Sequence, residues 1–299
     1  MEPAGRVLTC DPGVDDAVAL AVAAGRPDAR LVAVVAGAGN VDAPTAWRNA
    51  AGMVELVGLD VPVGLGSAAA LDGSAIHRDG SAHGPDGLVG LARRLPRADA
   101  RTREPGRSLV QGDIVATGPL TDAAIAVRCR QPVNGVVWLG GRAADLAVAT
   151  SPPAGPSGRA AQGPEFNAAA DPEAVNTVAA GPAPLWIVPL DVSHRVVLGP
   201  GAIARWASGP TPARFCADLV TARHGVAGGA LPDPVAVVAA LEPHLFRWEP
   251  RPLRCSTEGP EPRGTLLADG GAARAAQVAV DVDAAAVRKR IVDAVMSLT

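Results

Sequence analysis

Arg6-Val7-Leu8-Thr9-Cys10-Asp11-Pro12-Gly13-Val14-Asp15-Asp16 is an apolar run that stops at a turn and restarts on acidic residues. Arg6–Cys10 has the length of a short buried strand, and Asp11-Pro12-Gly13 is turn chemistry. Asp15–Ala24 then shows helical apolar spacing, with carboxylates in the first turn, where the helix dipole favours them. The same alternation continues outward. Ala29–Ala36 is a strand, Pro44–Val57 a helix and Val61–Gly64 a strand. Continuous apolar strands are buried on both faces, which predicts a mainly parallel sheet covered by helices, an α/β fold.

A polar stretch, Asp72–Gly106, interrupts the pattern. It resumes with strands at Asp113–Ala116, Gly135–Leu139 and Leu185–Leu190, and helices at Leu120–Arg128 and Pro172–Ala179. Ala143–Gly163, rich in Gly, Pro, Ala and Ser, reads as a long loop of the kind that carries function. The last third reads as helix over Ala202–His224 and Pro234–Leu241, strand over Gly264–Asp269 and Gln277–Val282, and a final helix, Ala284–Ser297. No repeat or linker divides the chain, so a single domain over 1–299 is expected. Ligands of open α/β sheets bind at the carboxyl ends of the strands. Asp11, Asn40, Thr117 and the loop after Gly140 all stand there.

Composition narrows the function. Hydrophobic residues make up 48% of the 299 and charged residues 19%, with a formal net charge of −3. That is ample for one large core and lacks the basic field of a nucleic-acid or acidic-membrane binder. No uncharged apolar run reaches the length of about 18 residues that a membrane span needs. The N-terminus lacks a basic-then-apolar leader, and Cys10, Cys129, Cys216 and Cys255 are scattered without a C-x-x-C pair. Reduced thiols and a cytoplasmic location are expected.

Asp11, Asp15 and Asp16 place three carboxylates within six residues. A helix cap needs one of them, the others being solvated. The alternative is a hard cation, since Ca²⁺ takes six to eight oxygen ligands from carboxylates, carbonyls and water. This motif alone leaves both readings open.

Further segments bring a family into view. The chain resembles the inosine–uridine nucleoside hydrolases. Their D-x-D-P-G-x-D-D signature stands here as Thr9-Cys10-Asp11-Pro12-Gly13-Val14-Asp15-Asp16, and Gly39-Asn40 ends the second strand as in V-A-G-N. His83-Gly84-Pro85-Asp86-Gly87-Leu88 and Ala116-Thr117-Gly118-Pro119-Leu120-Thr121 match two more segments. Leu139-Gly140-Gly141, Glu165-Phe166-Asn167, Asp171-Pro172-Glu173-Ala174, Val188 to His194 and Asp233-Pro234-Val235-Ala236 follow in order. The resemblance spans nearly the whole chain.

It implies calcium-dependent hydrolysis of the N-glycosidic bond of a ribonucleoside or modified nucleoside or nucleotide. By resemblance, Asp11, Asp16 and Asp233 are side-chain calcium ligands, with the Thr117 carbonyl as another. Asp15, Asn40, Glu165 and Asn167 hydrogen-bond the ribose hydroxyls, and Asp11 orients and deprotonates the attacking water. A homodimer or homotetramer is also implied by resemblance alone.

The departures lie on the base side. The family carries a histidine, the acid for the departing base, just before the last metal-binding Asp; here that residue is Pro232. His224, in the glycine-rich segment Arg223 to Gly229, is the best substitute; it also reads as a surface histidine at a helix end. His83 is placed in the base pocket, His194 reads as structural, and His77 and His244 carry no signal. Where the family has an Asn at the 5′ end of ribose, the chain has Arg159; it suits a 5′-phosphate, or lies in solvent after a loop shift. Thr9 replaces an acidic residue that supports the metal ligands. Pro232 points to a base that departs readily without protonation. A non-catalytic calcium-dependent ribose- or nucleoside-binding protein, or a related ribosyl-transfer enzyme, would carry the same residues.

Overall fold

The computed structural model describes residues 5–76, 80–97, 103–146 and 163–299. The opening unit is β1 (Arg6–Cys10) and α1 (Val14–Ala24). It is followed by β2 (Leu31–Ala36), α2 (Ala43–Leu56), β3 (Val63–Leu65), α3 (Gly80–His83), β4 (Arg103–Pro105), α4 (Gly106–Leu109) and β5 (Gly112–Ala116). Next come α5 (Thr121–Arg128), β6 (Val133–Leu139), α6 (Phe166–Ala170), α7 (Pro172–Ala180), β7 (Leu185–Val188) and α8 (Leu190–Ser193). The chain continues through β8 (Val197–Leu198), α9 (Pro200–Ala207), α10 (Thr211–His224), β9 (Gly229–Ala230) and α11 (Pro232–Leu241). It closes with β10 (Phe246–Cys255), β11 (Leu266–Ala268), β12 (Ala275–Val282) and α12 (Ala284–Met296).

Among the described residues one ten-stranded sheet has the order β11-β10-β12-β7-β6-β5-β1-β2-β3-β4, and β8 and β9 form a small separate pair. Every pairing from β12 to β4 is parallel, and β10 is antiparallel to both β12 and β11. β1 is flanked by β2 on one side and β5 on the other. The chain order therefore reverses at β1, and a crevice opens outside the carboxyl ends of β1 and β5. Asp11 and Thr117 are the first residues beyond those two ends.

The strands are buried on both sides, as their continuous apolar runs predict. Leu8 and Val34 belong to one core layer, with α1, α10, α11 and α12; Val7 and Val35 belong to the other, with α5 and α7. Each fully buried Val or Leu side chain contributes about 1.5–3 kcal/mol. Helix α1 is buried along Val14–Ala23, including Asp15 and Asp16. Two carboxylates in a helix enclosed by the core are costly unless something compensates them.

Three features depart from the sequence reading. The helix expected over Ala202–His224 is two helices, because Ser208-Gly209-Pro210 ends α9 and Pro210 restarts the chain as α10. Leu190 opens a helical turn instead of closing β7. Strand β10 went unread, since Phe246–Cys255 mixes Arg, Glu and two prolines with its apolar residues. Only Leu253–Cys255 pairs with β11, so Pro250 and Pro252 fall where β10 is the sheet edge.

Candidate active site

The turn after β1 aims its carboxylates inward. Asp16 accepts from Gly13 N at 2.9 Å, Thr117 Oγ1 at 2.8 Å and Asn40 Nδ2 at 3.2 Å. Asp11 accepts from Asn40 N at 2.6 Å through one oxygen, while its buried Oδ1 has no hydrogen-bond partner. A Cβ at Gly39 or Gly118 would overlap the Asp11 carboxylate, so both positions leave room only for hydrogen. Asp15 Oδ1 is likewise buried without a hydrogen bond, 3.7 Å from His83 Nδ1. Asp233 enters from the first turn of α11. Carboxylate oxygens of Asp15, Asp16 and Asp233 lie within 4.8 Å of one another.

Such a cluster resists ionisation. Burial, then the charge of Asp16, pushes Asp11 well above the usual carboxylate range. Burial and Asp15 raise Asp16 to about 6, and burial with its three acidic neighbours raises Asp233. Orphaned buried oxygens, mutual repulsion and an all-oxygen donor set fit a hard divalent cation. Asp15, expected on the ribose, stands in the close trio; Asp11, expected on the metal, stands beside it. The Thr117 carbonyl, also expected on the metal, accepts from Asn167 Nδ2 at 2.8 Å.

The far wall comes from α6. Glu165 caps this helix, accepting from Asn167 N at 2.9 Å and Ala168 N at 3.0 Å, and also takes Gly141 N at 2.8 Å. Burial raises its pKa and these three donors oppose the rise. Asn167 spends both amide hydrogens on Thr117 O and Leu139 O, at 2.8 and 3.1 Å. Its Oδ1 is the acceptor left over. Together Asp15, Asn40, Thr117, Glu165, Asn167 and Asp233 line a cleft of about 460 Å³, within the range of about 300–1,000 Å³ common for small-molecule sites.

His83, His194, Arg223, His224 and Pro232 also line the cleft. Val14 N donates to His83 Nδ1 at 2.9 Å, which leaves the ring proton of a neutral imidazole on Nε2. Pro232 is the first residue of α11, where its missing N–H costs nothing. Arg223 Nε donates to His224 Nε2 at 3.1 Å, and burial followed by the Arg223 charge lowers the His224 pKa. Burial followed by Arg142 does the same to His194. Arg159 and His77 lie outside the described residues.

Sequence reasoning gave no role to Arg223, Phe166, Leu190 or Ala230, which also line the cleft. The one available signal was the place of Arg223 beside His224 in the glycine-rich segment. Cys10, Cys216 and Cys255 are buried free thiols and Cys129 an exposed one. Among the described residues no helix is long and apolar enough to cross a membrane.

Comparison with known proteins bears on this site. The family described as inosine-uridine preferring nucleoside hydrolase matches residues 7–289. The chain is 30% identical over 285 residues to the pyrimidine-specific ribonucleoside hydrolase RihA of Enterobacter sp. (strain 638), covering 88% of this chain and 87% of that one. It is 28% identical to the non-specific ribonucleoside hydrolase RihC of Escherichia coli O1:K1 / APEC, covering 92% and 93%. The solved plant nucleoside hydrolase PpNRh1 superposes with a TM-score of 0.82 at 25% identity, covering 98% and 99%. The binding-protein and ribosyl-transfer readings find no support in these similarities.

Proposed function

The chain belongs to the inosine-uridine preferring nucleoside hydrolase family and is an N-glycosyl hydrolase of ribonucleosides; on that premise we propose that it works with calcium, using Asp11 as the base. The observation that carries this reading is the buried carboxylate cluster, with Asp11 Oδ1 and Asp15 Oδ1 unpartnered beside the cleft. Asp16 and Asp233, with Asp11 and the Thr117 carbonyl, would hold the cation, and the place of Asp15 both in the close trio and in the cleft lining supports a role for it toward metal and sugar alike. Bound calcium supplies positive charge against the carboxylate repulsion and Lewis acidity toward water.

The chain's own groups do the rest. Asp11 Oδ1 takes the proton of the water that attacks the anomeric carbon; Asn40, bonded to the other oxygen, fixes the carboxylate's angle. Asp15, Asn40, Glu165 and Asn167 hold the ribose hydroxyls. Their ring of acceptors favours the positive charge that develops at the anomeric carbon as the bond to the base breaks. The substrate is a ribonucleoside, in keeping with relatives named as pyrimidine-specific and non-specific ribonucleoside hydrolases.

The test is ribose release from a panel of nucleosides and 5′-nucleotides, with calcium or with chelator, for the wild type and Asp11→Asn. Release should require calcium and collapse in the variant. Release indifferent to the chelator would defeat the calcium reading, and an equal rate for Asp11→Asn would defeat the role of Asp11.

A further inference from the structure

The His83 side of the cleft holds a cation that the mechanism above leaves unused. Arg223 sits in the last turn of α10 and reaches across to α3. Its Nη1 donates to Ala82 O at 2.6 Å and lies 2.9 and 3.0 Å from the two ring nitrogens of His83. Its Nε donates to His224 Nε2 at 3.1 Å. Among the described residues Nη2 makes no hydrogen bond, and no carboxylate pairs with the guanidinium. The guanidinium, held by Ala82 O and His224 and in hydrogen-bond contact with no carboxylate among the described residues, therefore stands in the lining of the cleft, with His83 between it and Asp15 of the carboxylate cluster.

The two histidines do not fill the place of a leaving-group acid as they stand. His224 accepts through Nε2 from Arg223, and His83 accepts through Nδ1 from Val14. Both rings brace the guanidinium or the helix terminus. A guanidinium does not give up its proton at neutral pH, so Arg223 acts by charge and hydrogen bonding instead.

We propose that Arg223 is a catalytic residue that binds the departing base as an anion, by donating to a ring carbonyl oxygen. This rests on the hydrolase reading above. In the step, the bond between the anomeric carbon and the base nitrogen breaks and its electron pair stays on the base. Water oxygen bonds the anomeric carbon and gives its proton to Asp11. The base leaves as an anion, its charge shared with the carbonyl oxygen that faces Arg223, and takes up a proton after departure. Ribose and neutral base are the products. A cationic base is disfavoured by the same guanidinium.

The experiment compares leaving groups. Wild type, Arg223→Met and Arg223→Lys are assayed on uridine, inosine and p-nitrophenyl β-D-riboside, whose nitrophenolate departs without help. Losing a fixed donor to a developing anion lowers turnover about 10²–10³-fold. Arg223→Met should lose that much on both nucleosides and change by less than about threefold on the nitrophenyl riboside. Arg223→Lys, which keeps the charge, should lose less than the Met variant on the nucleosides. Equal losses on all three substrates, as from a merely structural pin between α10 and α3, would overturn the proposal. So would unchanged nucleoside rates in Arg223→Met, or a Lys variant as poor as Met. A wild type that cleaves none of the three would overturn the hydrolase reading itself, and this proposal with it.

Discussion

Thr117 donates its hydroxyl to Asp16 Oδ1 at 2.8 Å, while its carbonyl accepts from Asn167 at 2.8 Å. One residue beyond β5 thus ties the carboxylate cluster to the α6 wall. Support of this kind sets the angle of a metal ligand, and its loss usually costs about 10–100-fold in metal affinity. Thr117→Val keeps the shape and removes the hydroxyl. Calcium affinity, measured by calorimetry, should fall by about that factor with the fold retained. Unchanged affinity would mean that Asp16 is oriented by its other donors, the Gly13 and Asp11 N–H groups and the Asn40 amide.

Asp233 offers a sharper separation of metal from fold. In the metal-free protein its carboxyl group is buried among three others, and burial and their charge oppose its ionisation. Asp233→Asn removes that repulsion and, on the calcium reading, one cation ligand with it. The chelated variant should melt at a higher temperature than chelated wild type, yet gain little from added calcium, because binding stabilises only the state that binds. A variant that still gains as much from calcium as wild type would remove Asp233 from the ligand set.

The pH dependence follows from the same groups. The Asp16 pKa rises from 3.8 to about 6 on folding, and Asp11 and Asp233 are raised too. Between about 4 and 6 the folded metal-free protein therefore binds more protons than the unfolded chain. Its stability is fully present below the unfolded value and falls as pH rises through the folded one. Melting temperature in chelator should drop from pH 5 to pH 7. On the calcium reading the cation competes with those protons, so the calcium-induced gain should be larger at pH 7 than at pH 5. A gain independent of pH would place the cation away from these carboxylates.

What could be read from sequence was what is local. The turn from Asp11 to Asp16 is a strand end, a tight turn and a helix start within six residues, so its pattern and its chemistry coincide. Residues at strand ends, such as Asn40 and Thr117, could be placed in the cleft once a parallel sheet was expected. Arg223 could not. An arginine in the last turn of a helix reads as a favourable charge at the dipole's negative end, and its partners Ala82 and His83 lie about 140 residues away. Strand β10 was hidden for a different reason: only one side of most of its length is paired, so polar residues and prolines are tolerated there.

Glu165 joins capping to the site. Two carboxylate oxygens receive three backbone N–H groups, from Gly141, Asn167 and Ala168. In Glu165→Gln one of those oxygens becomes an NH₂ facing a donor. A lost and opposed hydrogen bond in a buried position costs about 1–3 kcal/mol, so the midpoint of urea unfolding should fall. Because the same helix carries Asn167, KM for the nucleoside should rise as well. Lower stability with an unchanged KM would confine Glu165 to the cap.

Asp171 makes the contrasting case, a motif residue whose contacts are structural. Its Oδ1 accepts from Ala174 N at 3.0 Å, at the start of α7. Its Oδ2 accepts from Thr121 Oγ1 at 2.6 Å and from Leu71 N at 2.7 Å. One buried side chain thereby holds α7, the start of α5 and the segment after β3, none of which carries the carboxylate cluster. Asp171→Ala strips three donors of their acceptor and leaves the Thr121 hydroxyl buried. Removal of a network of this kind costs roughly 3 kcal/mol or more. The variant's unfolding midpoint should fall well below that of Thr117→Val, while the folded fraction keeps its calcium affinity and its ratio of uridine to nitrophenyl riboside turnover. A changed substrate ratio in Asp171→Ala would show that the α5–α7 side of the sheet also shapes the cleft.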